Sequence, residues 1–409
     1  MSSYNINLHE AIYSLSDALD LVGVTHIHHG KRVAYMAAEF GKYLKWEQPR
    51  LDDLFQAAIL HDSGVSKTTV HAKLAQLQWE QEGEHCRIGA DLLASCPMLS
   101  HLAPVVLYHH THWCELKDME LPPEVILSAN CIYLADRTDI LALQFLIDEK
   151  DILLGKENIR KTIFEKRGDW FGPELVDAFM DVSSSEAFWF SLEADHVNGY
   201  VETWLAETTQ KSMSFEELRS LVQIFSSIVD AKSSYTKEHS DGVARLARYL
   251  GTLFGLAEAT CEMLELAGLL HDLGKLRVPD ELLEKPRRLN ETESVTMRRH
   301  SFDTYNILKH ITGLEQVTLW AAQHHERVDG SGYPYHTKGG RLSLEARIIE
   351  VADVFQALAQ RRPYRDSLPP DEILNMLKEH AGSGKLDGDV VAKVGAHLQE
   401  CWRVATRLD

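Results

Sequence analysis

The stretches Leu269-Leu270-His271-Asp272-Leu273-Gly274-Lys275 and His324-His325-Glu326-Arg327-Val328-Asp329-Gly330-Ser331-Gly332-Tyr333-Pro334 decide the reading of this chain. The first sets an imidazole and a carboxylate side by side after an apolar run. The second sets two imidazoles side by side before a glycine-rich turn. Neighbouring residues on a helix point about 100° apart, so one face cannot present both. Tandem ligands therefore belong at helix ends, where a pair can reach two different ions. A carboxylate shared between two metal ions is a device for hydrolysing phosphate esters.

Working outward, the pattern occurs twice. His29, His61-Asp62, His85, His109-His110 and Asp136 appear in the same order as His239, His271-Asp272, His300, His324-His325 and Asp353. The separation is 210 residues for His29/His239 and His61/His271, 215 for His85/His300 and His109/His324, and 217 for Asp136/Asp353. A nearly constant offset that drifts only by small insertions marks a duplicated module. Helical spacing dominates and no run alternates as a strand does. The expected fold is all-α, with two tandem helical domains related by internal duplication.

The boundaries follow from composition. We expect a first domain over 1–185, a packed helical connection over 186–213, where Val197, Tyr200, Val201, Trp204 and Leu205 keep helical spacing, and a second domain over 214–409. Ser214 and Glu217 read as a capping box that starts a helix whose stripe is Leu218, Leu221, Val222, Phe225, Ile228 and Val229. That stripe predicts core, with a dimer seam as the other use, so the chain is expected to be a monomer or homodimer.

The 409 residues are 44% hydrophobic, enough for real cores, and carry a net charge of -19. That charge argues against duplex nucleic acid as a partner, since polyanions need a basic face. No apolar run is long enough to span a membrane, and the N-terminus lacks the blocks of a signal peptide. A cytoplasmic location is expected. The six cysteines show no pairing pattern and predict reduced thiols in small apolar niches.

In the second domain His239, His271, Asp272, His300, His324, His325 and Asp353 are candidate metal ligands. Asp353 lies in the apolar helical run Ile348–Phe355, where a carboxylate without a cation would be costly. Five imidazoles with two carboxylates suit two divalent transition-metal ions, Fe or Mn first, Ni or Zn next. Two such ions sharing Asp272 and a hydroxide would make a nucleophile near neutral pH. Lys275 either steadies a phosphate or departing oxygen, as a catalytic partner of Asp272, or merely balances a helix C-terminus.

At these residues the chain resembles the HD-GYP family, a branch of the HD-domain metal-dependent phosphohydrolases. His271-Asp272-Leu273-Gly274-Lys275 fits its HD-x-GK segment, and the run from His324 to Pro334 fits HHE-x-x-DG-x-GYP. Asp353 in Val-Ala-Asp-Val-Phe-Gln-Ala-Leu, followed by Arg362-Pro-Tyr-Arg365, fits the closing motif. The resemblance implies a phosphodiesterase that opens a bacterial cyclic dinucleotide, cyclic di-GMP or 3′,3′-cyclic GMP-AMP, to the linear dinucleotide and onward to mononucleotides. It implies the seven ligands above with Asp272 bridging, Lys275, Arg362 and Arg365 on phosphates, and Gly332, Tyr333 and Pro334 shaping the ligand pocket and a surface for signalling proteins. Tyr235 stands where some members carry a Glu for a third metal, so two ions are expected. The alternative is a receptor that binds the dinucleotide and turns it over little.

The first domain resembles a diverged HD domain. It keeps His29, His61, Asp62, His85, His109, His110 and Asp136, a candidate second metal site, but Val65 replaces Lys275, Phe145 replaces Arg362, and His109-His110-Thr111-His112-Trp113 replaces the GYP turn. Action on another phosphate ester, binding without turnover, and a packing scaffold are the three readings; the missing phosphate-handling groups favour regulation.

Overall fold

The computed structural model describes residues 3–22, 28–67, 83–147, 151–206, 210–232, 239–360 and 366–407. Helices make up almost all its regular structure, and the strands among the described residues are Ser3–Ile6 and Lys211–Ser214. They pair antiparallel, with Ser3 opposite Ser214 and Ile6 opposite Lys211. The chain divides into two units, Asn7–Gln210 and Lys211–Asp409, and the stretch through Ile6 belongs with the second. Nothing in the hydropathy of so short a segment foretells that pairing.

The first unit hangs its candidate ligands on helix ends. His29 opens the helix His29–Tyr43, and His61-Asp62 follow Gln48–Ile59. His85 stands in the first turn of Gly83–Ala94, His109-His110 follow Ala103–Leu107, and Asp136 lies inside Pro123–Ile147. Pro49 and Pro104 sit in the first turns of their helices, where a missing N–H removes no helical bond. The helices Glu186–Phe190 and Ala194–Ala206, read from sequence as connection, bury Phe188, Trp189, Val197 and Val201. Trp204 packs on Phe55 with ring centroids 4.5 Å apart and donates to Asp52 at 2.8 Å.

The second unit repeats the scheme. His239 opens His239–Leu253, His271-Asp272 follow Glu258–Leu270, His300 lies on Glu291–Leu308, His324-His325 follow Glu315–Ala322, and Asp353 lies inside Leu344–Ala359. Sequence sets the starts. The Ser214 hydroxyl accepts from the Glu217 N–H at 3.2 Å while the Glu217 carboxylate accepts from the Ser214 N–H at 2.8 Å, opening Phe215–Lys232. Asn290 and Glu293 form a second capping box. The stripe Leu218, Leu221, Val222, Phe225, Ile228 and Val229 is buried as core. Glu258–Leu270 is buried from Leu264 to its end, and its Glu258 and Glu265 meet Arg248 on the polar side.

No described helix is long and apolar enough to cross a membrane. All six cysteines are free thiols. Two depart from the apolar niches expected of them: Cys114 is exposed, and Cys86 lies among histidines.

Candidate metal centre and active site

Helix ends position most candidate ligands of the second unit, helix interiors carry His300 and Asp353, and backbone carbonyls orient three of the rings. His271 Nδ1 meets the Gly268 carbonyl at 2.8 Å, His300 Nδ1 the Met297 carbonyl at 2.6 Å, and His324 Nδ1 the Ala321 carbonyl at 2.7 Å. In each case the partner lies three residues back, so the preceding helical turn itself holds the ring. His239 Nδ1 bonds to the Gln356 side-chain oxygen. With Nδ1–H donated outward, each ring turns the Nε2 lone pair inward, the arrangement a metal-binding imidazole needs.

The inward nitrogens fall into two groups. His239, His271 and Asp353 bring their ligand atoms within 4.8 Å of one another, and so do His300, His324 and His325. Asp272 stands between them. Its Oδ2 is 3.2 Å from His271 Nε2 and 3.7 Å from His239 Nε2, while its Oδ1 is 3.6 Å from His300 Nε2 and 3.7 Å from His324 Nε2. One carboxylate therefore shows one oxygen to each group. His239 Nε2, His271 Nε2 and Asp272 Oδ1 are buried with no hydrogen-bond partner, so the donor set fits a pair of cations.

The electrostatics agree. Burial pushes His300 down to about 4 and His325 down to about 3, so both are neutral lone-pair donors near pH 7. Burial acts to raise the Asp272 carboxyl, but His271 and Lys275 outweigh it and hold it well below the usual range. Burial likewise opposes a proton on His271, yet Asp272 and Asp353 outweigh it and raise that imidazole. A cation bound between these carboxylates would compete with a proton for His271 Nε2.

Around this centre, Lys275 Nζ lies 2.5 Å from Asp272 Oδ2, so in this state it holds the shared carboxylate. The Tyr333 ring lies 4.9 Å from His325 and 6.4 Å from His300, which puts the GYP turn at the second group of histidines. Gly332 is required there by space: a Cβ would stand 2.4 Å from the His325 carbonyl and 2.3 Å from the Arg327 nitrogen. The Tyr333–Pro334 peptide is cis. Arg362 and Arg365, expected on phosphates, and Tyr235, at the third-metal position, lie outside the described residues.

Two residues escaped the sequence reading. Glu326 is fully buried and its two oxygens accept from Tyr335 N at 2.6 Å and Thr337 N at 2.7 Å, tying down the loop beyond the GYP turn. Gln356 orients His239; its signal was its place one turn after Asp353. Gln356→Ala should weaken ion binding by about 10–100-fold, the range for a lost orienting bond. Chelator competition would measure it, and unchanged affinity would show that packing alone holds His239.

The first unit brings its seven candidates together in like manner. Asp62 Oδ2 is 3.6 Å from His61 Nε2 and 3.8 Å from His29 Nε2, and its Oδ1 is 3.5 Å from His85 Nε2. His29, His61 and Asp136 form one group, and His85, Cys86, His109 and His110 another. Val65 is buried where Lys275 would stand, and no lysine faces Asp62 among the described residues.

Comparison with known proteins agrees with this geometry. Models of the HD domain match residues 27–141 and 223–390. The chain is 36% identical over 407 residues to the 3′3′-cGAMP-specific phosphodiesterase 1 of Vibrio cholerae, covering 98% of this chain and 94% of that one. It is 36% identical over 156 residues to a cyclic di-GMP phosphodiesterase response regulator of Xanthomonas campestris, covering 38% of this chain and 41% of that one. A crystal structure of a cyclic GMP-AMP specific phosphodiesterase of V. cholerae, V-cGAP3, superposes with a TM-score of 0.65 at 25% identity, covering 97% of this chain and 98% of that one. Likeness that runs through both helical units, and not only through the second set of motifs, is inheritance of the whole arrangement: this chain belongs to the HD-GYP family of HD-domain phosphodiesterases, its first HD domain a diverged copy of the second.

Proposed function

We propose that the second unit opens 3′,3′-cyclic GMP-AMP to the linear dinucleotide by hydrolysing one phosphodiester bond. The observation that carries the hydrolytic reading is Asp272, with one oxygen toward each group of histidines. The substrate choice is supported by coverage: two relatives named for cyclic GMP-AMP align over 98% and 91% of the chain and a third over 41%, whereas relatives named for cyclic di-GMP align over 44% or less. His239, His271 and Asp353 would hold one divalent ion, His300, His324 and His325 the other, with Asp272 shared. Fe or Mn suits this mixed nitrogen and oxygen set, with Ni or Zn next. Bound there, two such ions would lower the pKa of a water so that it can lose a proton and attack phosphorus near neutral pH, and would neutralise charge on the phosphoryl oxygens.

The protein's own groups do the rest. Lys275, part-exposed beside Asp272, can turn its ammonium to a phosphate oxygen when the carboxylate is otherwise balanced. The Tyr333 ring, with Arg298 5.6 Å from its centroid, offers a flat wall and a positive charge for a base and its phosphate. Arg362 and Arg365 suit the second phosphate through their planar forks of donors. Products gain one water: the P–O3′ bond breaks, the phosphate stays on the 5′ side, and the 3′-oxygen takes a proton.

The test is anaerobic hydrolysis by Mn- or Fe-loaded protein, offered both cyclic dinucleotides, beside a His271→Ala/Asp272→Ala control. We expect 3′,3′-cyclic GMP-AMP to be favoured by about tenfold or more in kcat/KM, with turnover lost in the control. Faster cyclic di-GMP turnover would overturn the substrate. Tight binding without turnover at full metal occupancy would make the protein a receptor.

A further inference from the structure

The first unit differs from the second at the places that choose a metal. Cys86 stands where the second unit has Ser301, each following the third histidine of its set. Ser301 Oγ lies 3.3 Å from His300 Nε2, and Cys86 Sγ lies 3.6 Å from His85 Nε2 and 3.9 Å from His109 Nε2. The same backbone position thus aims a hydroxyl into one cluster and a thiol into the other. A serine hydroxyl is a poor ligand, whereas a thiolate is a strong, soft one. The ligand atoms of His85, Cys86, His109 and His110 all lie within 4.8 Å of one another. His109 Nδ1 bonds to the Val106 carbonyl at 2.6 Å, which turns its Nε2 inward. Asp62 Oδ1 and His61 Nε2, at the edge of this cluster, are buried with no hydrogen-bond partner.

The other half of the cluster is already balanced by protein cations. Arg137 is buried and donates to Asp136 Oδ2 from Nε at 2.9 Å and from Nη2 at 2.8 Å. Val354 follows the matching aspartate of the second unit. Asp139 joins His29 Nδ1 at 2.7 Å to Arg32 Nε at 2.5 Å, where the second unit has Gln356 and Gly242. A guanidinium does not lose its proton, so a divalent ion in this half would face fixed, buried like charge. The cavity against His29, His61 and Asp62 measures about 20 Å³, space for a water and not for a nucleotide.

We propose that the first unit holds a single thiophilic divalent ion, zinc in class, bound by His85, Cys86 and His109 with His110 completing four ligands. Arg137 supplies the charge that a second ion supplies in the other unit. Its 3.3 Å approach to His110 Nδ1 is the bond that ion binding there would displace. Four protein ligands leave no open position, so this ion stabilises the unit and does not activate a substrate.

Full-length protein carrying His271→Ala/Asp272→Ala, loaded with Co²⁺ as a spectroscopic stand-in for zinc, tests this apart from catalysis. We expect one tightly held ion per chain and a near-ultraviolet sulfur-to-cobalt charge-transfer band. The band should vanish with Cys86→Ser and persist with Cys96→Ser, a buried thiol outside the cluster. Because the double variant could fail to fold, the same cysteine substitutions are read in the otherwise native chain, where the band alone decides. Stoichiometric cobalt without the band, or a band that survives Cys86→Ser, overturns the proposal. So does a second cobalt ion per chain that survives further removal of His300 and His324 from the second unit.

Discussion

Asp272→Ala is expected to lower kcat for cyclic-dinucleotide hydrolysis by about 10³-fold or more, a loss beyond that of one transition-state hydrogen bond. The reason is its position. Its two oxygens lie within 3.8 Å of four imidazoles, two from each group, and its Oδ2 also holds Lys275. Removing it takes a ligand from both prospective ions at once and releases Lys275. The centre would then be five imidazoles and one carboxylate, with less negative charge to hold two dications. Elemental analysis should find fewer ions per chain, and single-turnover hydrolysis should show slow chemistry even at saturating metal. An Asp272→Ala protein with full metal content and native turnover would remove the shared carboxylate from the mechanism.

Gly274→Ala is expected to cost more than its single methyl suggests. A Cβ at Gly274 would stand 2.0 Å from the His300 carbonyl, closer than atoms can approach. Either the turn after Asp272 or the helix Glu291–Leu308 must move, and both carry ligands. Overpacking of this kind destabilises by about 1–3 kcal/mol, and here the displacement falls on His300 and Asp272 together. The Gly274 N–H also donates to the Thr304 hydroxyl at 2.9 Å, and that hydroxyl donates to the His271 carbonyl at 3.2 Å, so the same shift strains three ligands. We expect a lower Tm and a fall in metal content and turnover. Gly64 provides the comparison, since its Cβ would stand 2.0 Å from the His85 carbonyl in the first unit. Gly64→Ala should lower stability by a similar amount while the second unit keeps its ions. Equal loss of turnover from both would show that the first unit governs the second.

These glycines show how far the motifs could be read. The HD-x-G pattern was visible as letters, but its glycine has no chemistry. Its purpose is the close approach of a helix that begins 17 residues later in one unit and 19 in the other. Gln356, Glu326 and Arg137 were hidden for the same reason, since each acts on a group that only folding brings near. In sequence Cys86 reads as one more thiol in an apolar niche, and only the positions of His109 and His110 give it company.

By itself the sequence determined the all-helical fold, the duplication and the two sets of candidate ligands, because helical period and a constant offset are properties of the chain alone. It also determined where helices begin, through caps such as Ser214 and Asn290 that act within three residues. Only the tertiary structure decided which candidate ligands stand together, which Asp272 oxygen faces which group, and that the first strand belongs with the second unit. It alone decided that Cys86 and Arg137 turn into the first cluster, at positions where the second unit has Ser301 and Val354 in sequence. The division is one of range: local bonding is written between near neighbours, whereas a metal site is an agreement among residues up to 114 positions apart, from His239 to Asp353, which only packing can bring within bonding distance.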